Sequence, residues 1–279
     1  MQRERVSENV YWFQSEIYAQ VTAGVVVGTE WAVVIDTLAI PEETLSMRSF
    51  IEDELKVPVR YVINTHYHAD HTWGNCFFPG ATVVASSLCR KLMAERGIPA
   101  LEETRRQNPA FKQVKVVLPH LTFDMGLLSL TVGKKRLSLI PTPGNSPDGI
   151  SVLIEEDRVL FAGDAFMPIP YIVDGDYEQM EATIRLIGEM GLENIVQGHG
   201  DIILRGEIEG TVEENLSYMR EIYKAAKGAT RRRNPLEVLQ SMDVQSCGKS
   251  RVYLEGLAEE LHQRNLRFLY VKLSKEKEV

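Results

Sequence analysis

The sequence predicts an α/β fold in which two related halves, each a sheet with its helices, pack sheet against sheet with the helices outside. Three observations predict it. Short apolar strand patterns alternate with helical ones through about the first 200 residues. Val33-Val-Ile-Asp36 and Leu160-Phe-Ala-Gly-Asp164 are both hydrophobic strands that end in an aspartate, and a duplicated unit would bring both ends to one edge. Beyond His199 the strand patterns stop and helical ones take over.

The elements follow in order. Val21–Val27 and Trp31–Ile35 are buried strands joined by a Gly-Thr-Glu turn, which makes a hairpin. A helix runs from Pro41, well placed in a first turn, to about Leu55, with Leu45, Phe50, Ile51 and Leu55 as its apolar stripe. Strands are expected at Val59–Ile63 and Ala81–Ala85, then a helical stretch over 86–106 interrupted at Gly97-Ile-Pro99. The second half repeats the plan with strands at Leu127–Val132, Arg136–Ile140, Ser151–Ile154 and Val159–Phe161. A helix over Glu178–Met190 and a strand at Asn194–Gln197 follow. Helices are then expected over Thr211–Lys227, from Asn234-Pro235, and over Ser250–Gln263. Residues 1–205 thus read as one main domain and 206–279 as a helical extension packed on it, suited to walling a pocket or pairing two copies.

Composition removes several functions. With 44% hydrophobic and 25% charged residues the chain buries an ordinary core. A net charge of −8 leaves no basic face for duplex nucleic acid, and the run Arg231-Arg232-Arg233 reads as a solvated corner. No stretch approaches the roughly 18 apolar residues of a membrane span. The start, MQRERVSENV, lacks the apolar segment of an export signal, and Cys76, Cys89 and Cys247 read as free thiols, so a cytoplasmic location is expected.

The chemistry concentrates in Asn64-Thr-His66-Tyr-His68-Ala-Asp70-His71, which holds three of the six histidines. Imidazole and carboxylate are the donors that zinc, iron and manganese accept. In a sharply turning loop His66 and His68 point one way and Asp70 and His71 another, which supplies two adjacent metal sites. Asp164 at a strand end can reach both metals, and Gln197-Gly-His199-Gly200 places another imidazole after a strand. The candidate metal ligands are therefore His66, His68, Asp70, His71, Asp164 and His199.

With these motifs, and with Asp36 and the loop Thr142-Pro-Gly-Asn145-Ser-Pro, the chain resembles the metallo-β-lactamase fold superfamily over about residues 8–205. The resemblance implies an αββα sandwich of two mixed sheets with the metals at one edge. It implies one site on His66 and His68, another on Asp70, His71 and His199, and Asp164 shared between them. Asp36 would orient a ligand without binding metal. The family usually carries a histidine where this chain has Asn145. An amide oxygen is a weaker donor, so one tight site and one weaker site are expected. Asp148 is a candidate replacement ligand. His120 reads as an exposed histidine, and His262 is given no role.

A metal with an open position lowers the pKa of its water to roughly 7 and supplies hydroxide for hydrolysis. Asp70 is the catalytic candidate, to orient that water or take its proton. Tyr67, Trp73, Phe166 and Tyr171 are aromatics near the ligands, to line a pocket or pack the core. The expected activity is hydrolysis of a small ester, lactone or related substrate with a divalent metal, zinc foremost and iron or manganese next. Asn145 counts against a glutathione thioesterase. The alternatives are a mononuclear iron oxygenase acting on a small thiol or persulfide, and a ligand sensor that has kept the fold without catalysis. Metal content separates the three.

Overall fold

In the strand that ends at Asp36, Val33 and Ile35 join one hydrophobic cluster while Ala32 and Val34 join another. The strand that ends at Asp164 divides the same way, with Val159 and Phe161 on one side and Leu160 and Ala162 on the other. This is the period-two geometry of a strand buried on both faces, and it explains why the sequence there reads as unbroken apolar runs. The computed structural model describes residues 1–124 and 126–275.

One sheet has seven strands in chain order: β1 (Gln2–Ser7), β2 (Val10–Gln14), β3 (Thr22–Val27), β4 (Ala32–Ile35), β5 (Val59–Ile63), β6 (Thr82–Ser86) and β7 (Leu121–Phe123). Its first three pairings are antiparallel and its last three parallel. The other sheet holds β8 (Leu128–Val132), β9 (Lys135–Pro141), β10 (Ile150–Ile154), β11 (Val159–Gly163), β12 (Asn194–Gln197) and β13 (Ile202–Leu204), in the order β13-β12-β11-β10-β9-β8. Its β11–β12 pairing is parallel and the rest are antiparallel. Val33, Ile35 and Ile63 of the first sheet meet Leu137, Val152 and Phe161 of the second in one buried cluster, so the sheets face each other. Helix α1 (Pro41–Ser49) covers the outer face of the first sheet through Met47. Helices α5 (Tyr177–Glu189), α6 (Arg205–Ala229) and α8 (Ala258–Lys275) cover the second through Ile184, Leu216 and Leu266. The expected two-sheet sandwich flanked by helices is the observed fold.

Differences lie at the edges. Strands β1, β2, β7 and β13 add to the expected set; β1 is a polar, largely exposed edge strand with no apolar pattern to reveal it. The expected break at Gly97-Ile-Pro99 is instead continuous. Helix α3 (Ser87–Leu92) passes through a π turn at Met93–Gly97 into α4 (Ile98–Gln107), whose first turn accepts Pro99. The helix expected over Ser250–Gln263 is corrected more strongly. Leu254, Glu255 and Gly256 take positive φ of 54°, 57° and 94°, which no α-helix tolerates, and α8 begins only at Ala258. A short helix α7 (Pro235–Gln240) precedes this bend. Among the described residues no helix is long and apolar enough to cross a membrane.

Candidate metal centre

All six candidate ligands gather where β4, β5, β11 and β12 end. After β5, Asn64 donates its amide to the His71 carbonyl at 3.0 Å and exchanges bonds with Asn75, which ties the motif into a tight loop. A one-turn helix α2 (Ala69–Thr72) starts directly after His68. It carries Asp70 and His71, and the His71 ring stays against that of His66, with centroids 4.3 Å apart, so the two pairs do not simply point opposite ways. The donor atoms fall into two groups, His66–His68–Asp164 and Asp70–His71–His199. Asp164 also belongs with the second group, its Oδ1 lying 3.2 Å from His71 Nε2 and 3.5 Å from His199 Nε2.

Each imidazole is held from behind. Asp36 Oδ2 lies 2.9 Å from His71 Nδ1, while its carboxylate accepts bonds from the Thr65 amide at 2.8 Å and the Thr65 hydroxyl at 2.7 Å. One imidazole thus touches both aspartates that end the related strands. Asp36 sits at φ 55°, a backbone conformation rare for a residue with a side chain. His199 Nδ1 faces the Ala19 carbonyl at 2.8 Å, which turns Nε2 toward Asp70 at 3.3 Å. A side chain at Gly198 would place its Cβ 2.1 Å from Asp164 Oδ1, so the backbone beside His199 can pass the shared carboxylate only as glycine. In the first group His66 Nδ1 faces the Thr65 hydroxyl at 3.0 Å. His66 Nε2 and His68 Nδ1 face each other at 2.9 Å, and His68 Nε2 faces Asp174 at 3.3 Å.

The residues fit a cation. His71 Nε2 and Asp164 Oδ1 are buried and converge without forming a hydrogen bond, as ligands of a common ion do and as isolated buried polar groups do not. Charge agrees. Burial opposes the charged form of His71, yet Asp164, Asp36 and Asp70 outweigh it and hold its pKa well above the ordinary value. Burial likewise opposes ionised Asp164, and the His71, His199 and His66 imidazoles hold it well below the usual carboxylate range. Burial, helped by His71, pushes His66 down. His68, against burial, is raised to about 9 by Asp164 and Asp174. Carboxylates and imidazoles in this proportion are the donor set of a divalent metal.

A cavity of about 550 Å³ opens above the donors. His68, Asp70, Asp164 and His199 lie on its floor, and Met167, Leu254, Leu257 and Leu261 on its walls. Tyr18 stands at its edge, where the Asp70 charge, then burial, raises its phenol to about 12. Of the aromatics noted in the sequence, Tyr171 lines this cavity, Phe166 is core, and Trp73 packs on Phe111. Tyr67 turns to Asp174 and Arg96. Asn145 is buried and donates to the Tyr171 carbonyl at 3.1 Å. Asp148 joins neither donor group among the described residues and lies beside the Cys89 thiol, which burial and that carboxylate push up. His120 is exposed and His262 fully buried against Tyr218. Sequence reasoning missed the Ala19 carbonyl, Thr65 and Asp174. Only Asp174-Gly175, a turn dipeptide, carried any local signal, and that signal says nothing of a partner.

A family model described as the metallo-beta-lactamase superfamily matches residues 18–199. The chain is 25% identical over 188 residues to the beta-lactamase-like protein 2 homolog of Caenorhabditis elegans, covering 67% of this chain and 56% of that protein. It therefore spans only about half the length of that relative. It is 26% identical over 222 residues to human acyl-coenzyme A thioesterase MBLAC2, covering 70% and 79% of the two chains. A metallo-beta-lactamase family protein from Thermus thermophilus shares the fold at a TM-score of 0.71 and 16% identity, over 98% of this chain and 95% of that one. With its paired sheets, its two donor groups around Asp164 and this match over well over half its length, the chain belongs to the metallo-beta-lactamase superfamily.

Proposed function

We propose that the protein is a metal-dependent hydrolase of a small ester, thioester or lactone whose acyl part is apolar. The observation that carries this reading is the pair of donor groups sharing Asp164 on the floor of a cavity lined by Met167, Leu254, Leu257 and Leu261, with Glu255, Glu260 and Arg264 also in its wall. His66, His68 and Asp164 would hold one divalent metal, and Asp70, His71, His199 and Asp164 the other, zinc being the first candidate for both. Such metals, when bound, supply Lewis-acid polarisation and a water of lowered pKa. The chain does the rest. Asp70 faces the cavity and orients the attacking water or takes its proton. Met167, Leu254, Leu257 and Leu261 exclude bulk water and bind the acyl group, Leu254 from within the bend and Leu261 from helix α8. Asn145, in the loop where the family usually has histidine, leaves the His66–His68 site the weaker one.

The name of the human relative, an acyl-coenzyme A thioesterase, supports including thioesters. The test is metal analysis of the freshly purified protein, followed by assays on acyl-coenzyme A and nitrophenyl ester panels before and after chelation. Zinc content with hydrolysis that chelation abolishes and zinc restores is the expected result. Metal-free protein without hydrolysis would favour the sensor, and iron with oxygen-dependent thiol oxidation would favour the oxygenase.

A further inference from the structure

We propose that Asp174 is a positioning residue for His68, fixing the ring so that Nδ1 is the atom offered to a metal. The proposal rests on the two-site reading above. The His68 ring has two nitrogens and two kinds of neighbour. Nδ1 faces the donor group, 2.9 Å from His66 Nε2 and 3.9 Å from Asp164 Oδ2. Nε2 faces Asp174 Oδ2 at 3.3 Å. A carboxylate accepts only, so it keeps the remaining proton on Nε2 when a metal takes the place of the Nδ1 proton. It also raises the donor strength of the ring, as outer carboxylates do for ligating histidines.

The arrangement is built and not a chance surface pair. Asp174 divides its oxygens: Arg96 donates to Oδ1 at 2.8 Å, while Oδ2 takes the Tyr67 hydroxyl and His68. Arg96 also donates to the Tyr67 hydroxyl at 3.2 Å, which closes the network. The segment carrying Asp174 is fastened on both sides. Asn145 donates to the Tyr171 carbonyl, the Asp176 amide donates to the Gly144 carbonyl at 2.9 Å, and Asn265 accepts from the Ile172 amide at 3.1 Å. A Cβ at Gly175 would lie 1.9 Å from the Gly144 carbonyl oxygen, so the two loops meet backbone to backbone. Asn145, at the family's usual histidine position, thus helps to hold the segment that supports the neighbouring ligand. The first site, one imidazole short, gains a carboxylate behind one it keeps.

The test titrates chelator-stripped full-length protein with zinc against a chromophoric competitor, for the wild type, Asp174→Asn, Asp174→Ala and Arg96→Ala. Asp174→Asn keeps the volume and an acceptor while removing the charge, so it remains informative even where alanine disturbs folding. The expected result is two zinc equivalents in the wild type, with one of them weakened about 10–100-fold by either Asp174 change and the other unaffected. Long-range proton–nitrogen NMR of the zinc-loaded wild type should show His68 protonated on Nε2 with Nδ1 taken by the metal, and a ring protonated on Nδ1 would overturn the proposal. Arg96→Ala should leave both affinities within about threefold, because Asp174 keeps its bond to His68. Wild-type affinities in both Asp174 variants would overturn the proposal alone, as would a loss in Arg96→Ala equal to that in Asp174→Ala. A wild type that binds no zinc would overturn the two-site reading and this proposal together.

Discussion

Of the two donor groups, the one made by Asp70, His71 and His199 is closed behind. His71 is wholly buried with Asp36 at its back, and His199 is pinned by the Ala19 carbonyl. The His66–His68 group is open on one side: the His68 side chain is 22% exposed, and its supporting carboxylate Asp174 is 31% exposed and shared with a surface arginine. The two groups use the same shared aspartate and similar rings, so donor chemistry alone does not separate them. What differs is how many protein donors each has and how deeply the groups behind the rings are buried. Buried support is screened little by solvent and costs little mobility, whereas exposed support is weakened by both. A closed site that keeps its metal beside an open one that exchanges it is the arrangement this asymmetry favours.

The largest effect expected from that comparison is at the closed group. His71→Ala or His199→Ala should reduce hydrolysis to the level of the chelator-treated protein and remove one zinc equivalent on elemental analysis. The fold should survive in both, as read by far-ultraviolet dichroism. If either variant keeps its full zinc content, the closed group is not the tight site.

A smaller effect belongs to the support. Asp36 accepts from Thr65 twice and contacts His71, so Asp36→Asn keeps the shape and loses the charge. It should weaken the closed site about 10–100-fold in a zinc competition titration, with the open site unchanged. Equal weakening of both sites would mean that Asp36 holds the whole loop and not one ring.

The ligands and their supports also mark what could be read from the chain. Asp36 was legible because a hydrophobic strand ending in a carboxylate occurs twice, and the repeat implies a common edge. His66, His68, Asp70 and His71 were legible because loop chemistry packs them into six consecutive residues. The supports were not. Ala19 contributes a carbonyl, which every residue owns, and comes 180 positions from His199. Asp174 lies 106 positions from His68 and looks like any turn aspartate. Such partners are fixed by how the sheets and loops meet, and no local period records that. The bend at Leu254–Gly256 was hidden for a related reason. Its leucines suit a helix, and tertiary packing overrides that preference.

The third prediction concerns the open group directly. Asn145 uses its amide nitrogen on the Tyr171 carbonyl, while its oxygen is buried with no hydrogen-bond partner among the described residues. A histidine there could donate one ring N–H to the same carbonyl and present the other nitrogen to the donor group. Asn145→His should therefore tighten the weaker zinc equivalent by at least about tenfold in the competition titration, since zinc prefers four strong ligands. Two equally tight sites in the unaltered protein would remove the asymmetry argued here.

The smallest expected effect is a control on the histidine count. His120 is exposed and pairs with the start of β6, its amide donating to the Val83 carbonyl at 2.8 Å and its Nδ1 accepting from the Val83 amide at 3.0 Å. Only the second of these bonds uses the side chain. His120→Gln can replace it in part, so stability should fall by no more than about 1 kcal/mol. In a chain of this size that is a drop of about 2–4 °C in Tm at most. Zinc stoichiometry and both affinities should stay as they are, because the ring is bonded to Val83 near the start of β6, while the donor groups lie where the strands end. If the weaker equivalent disappeared in His120→Gln, the open group would have a third imidazole after all. The difference between the two sites would then need another cause than a missing ligand.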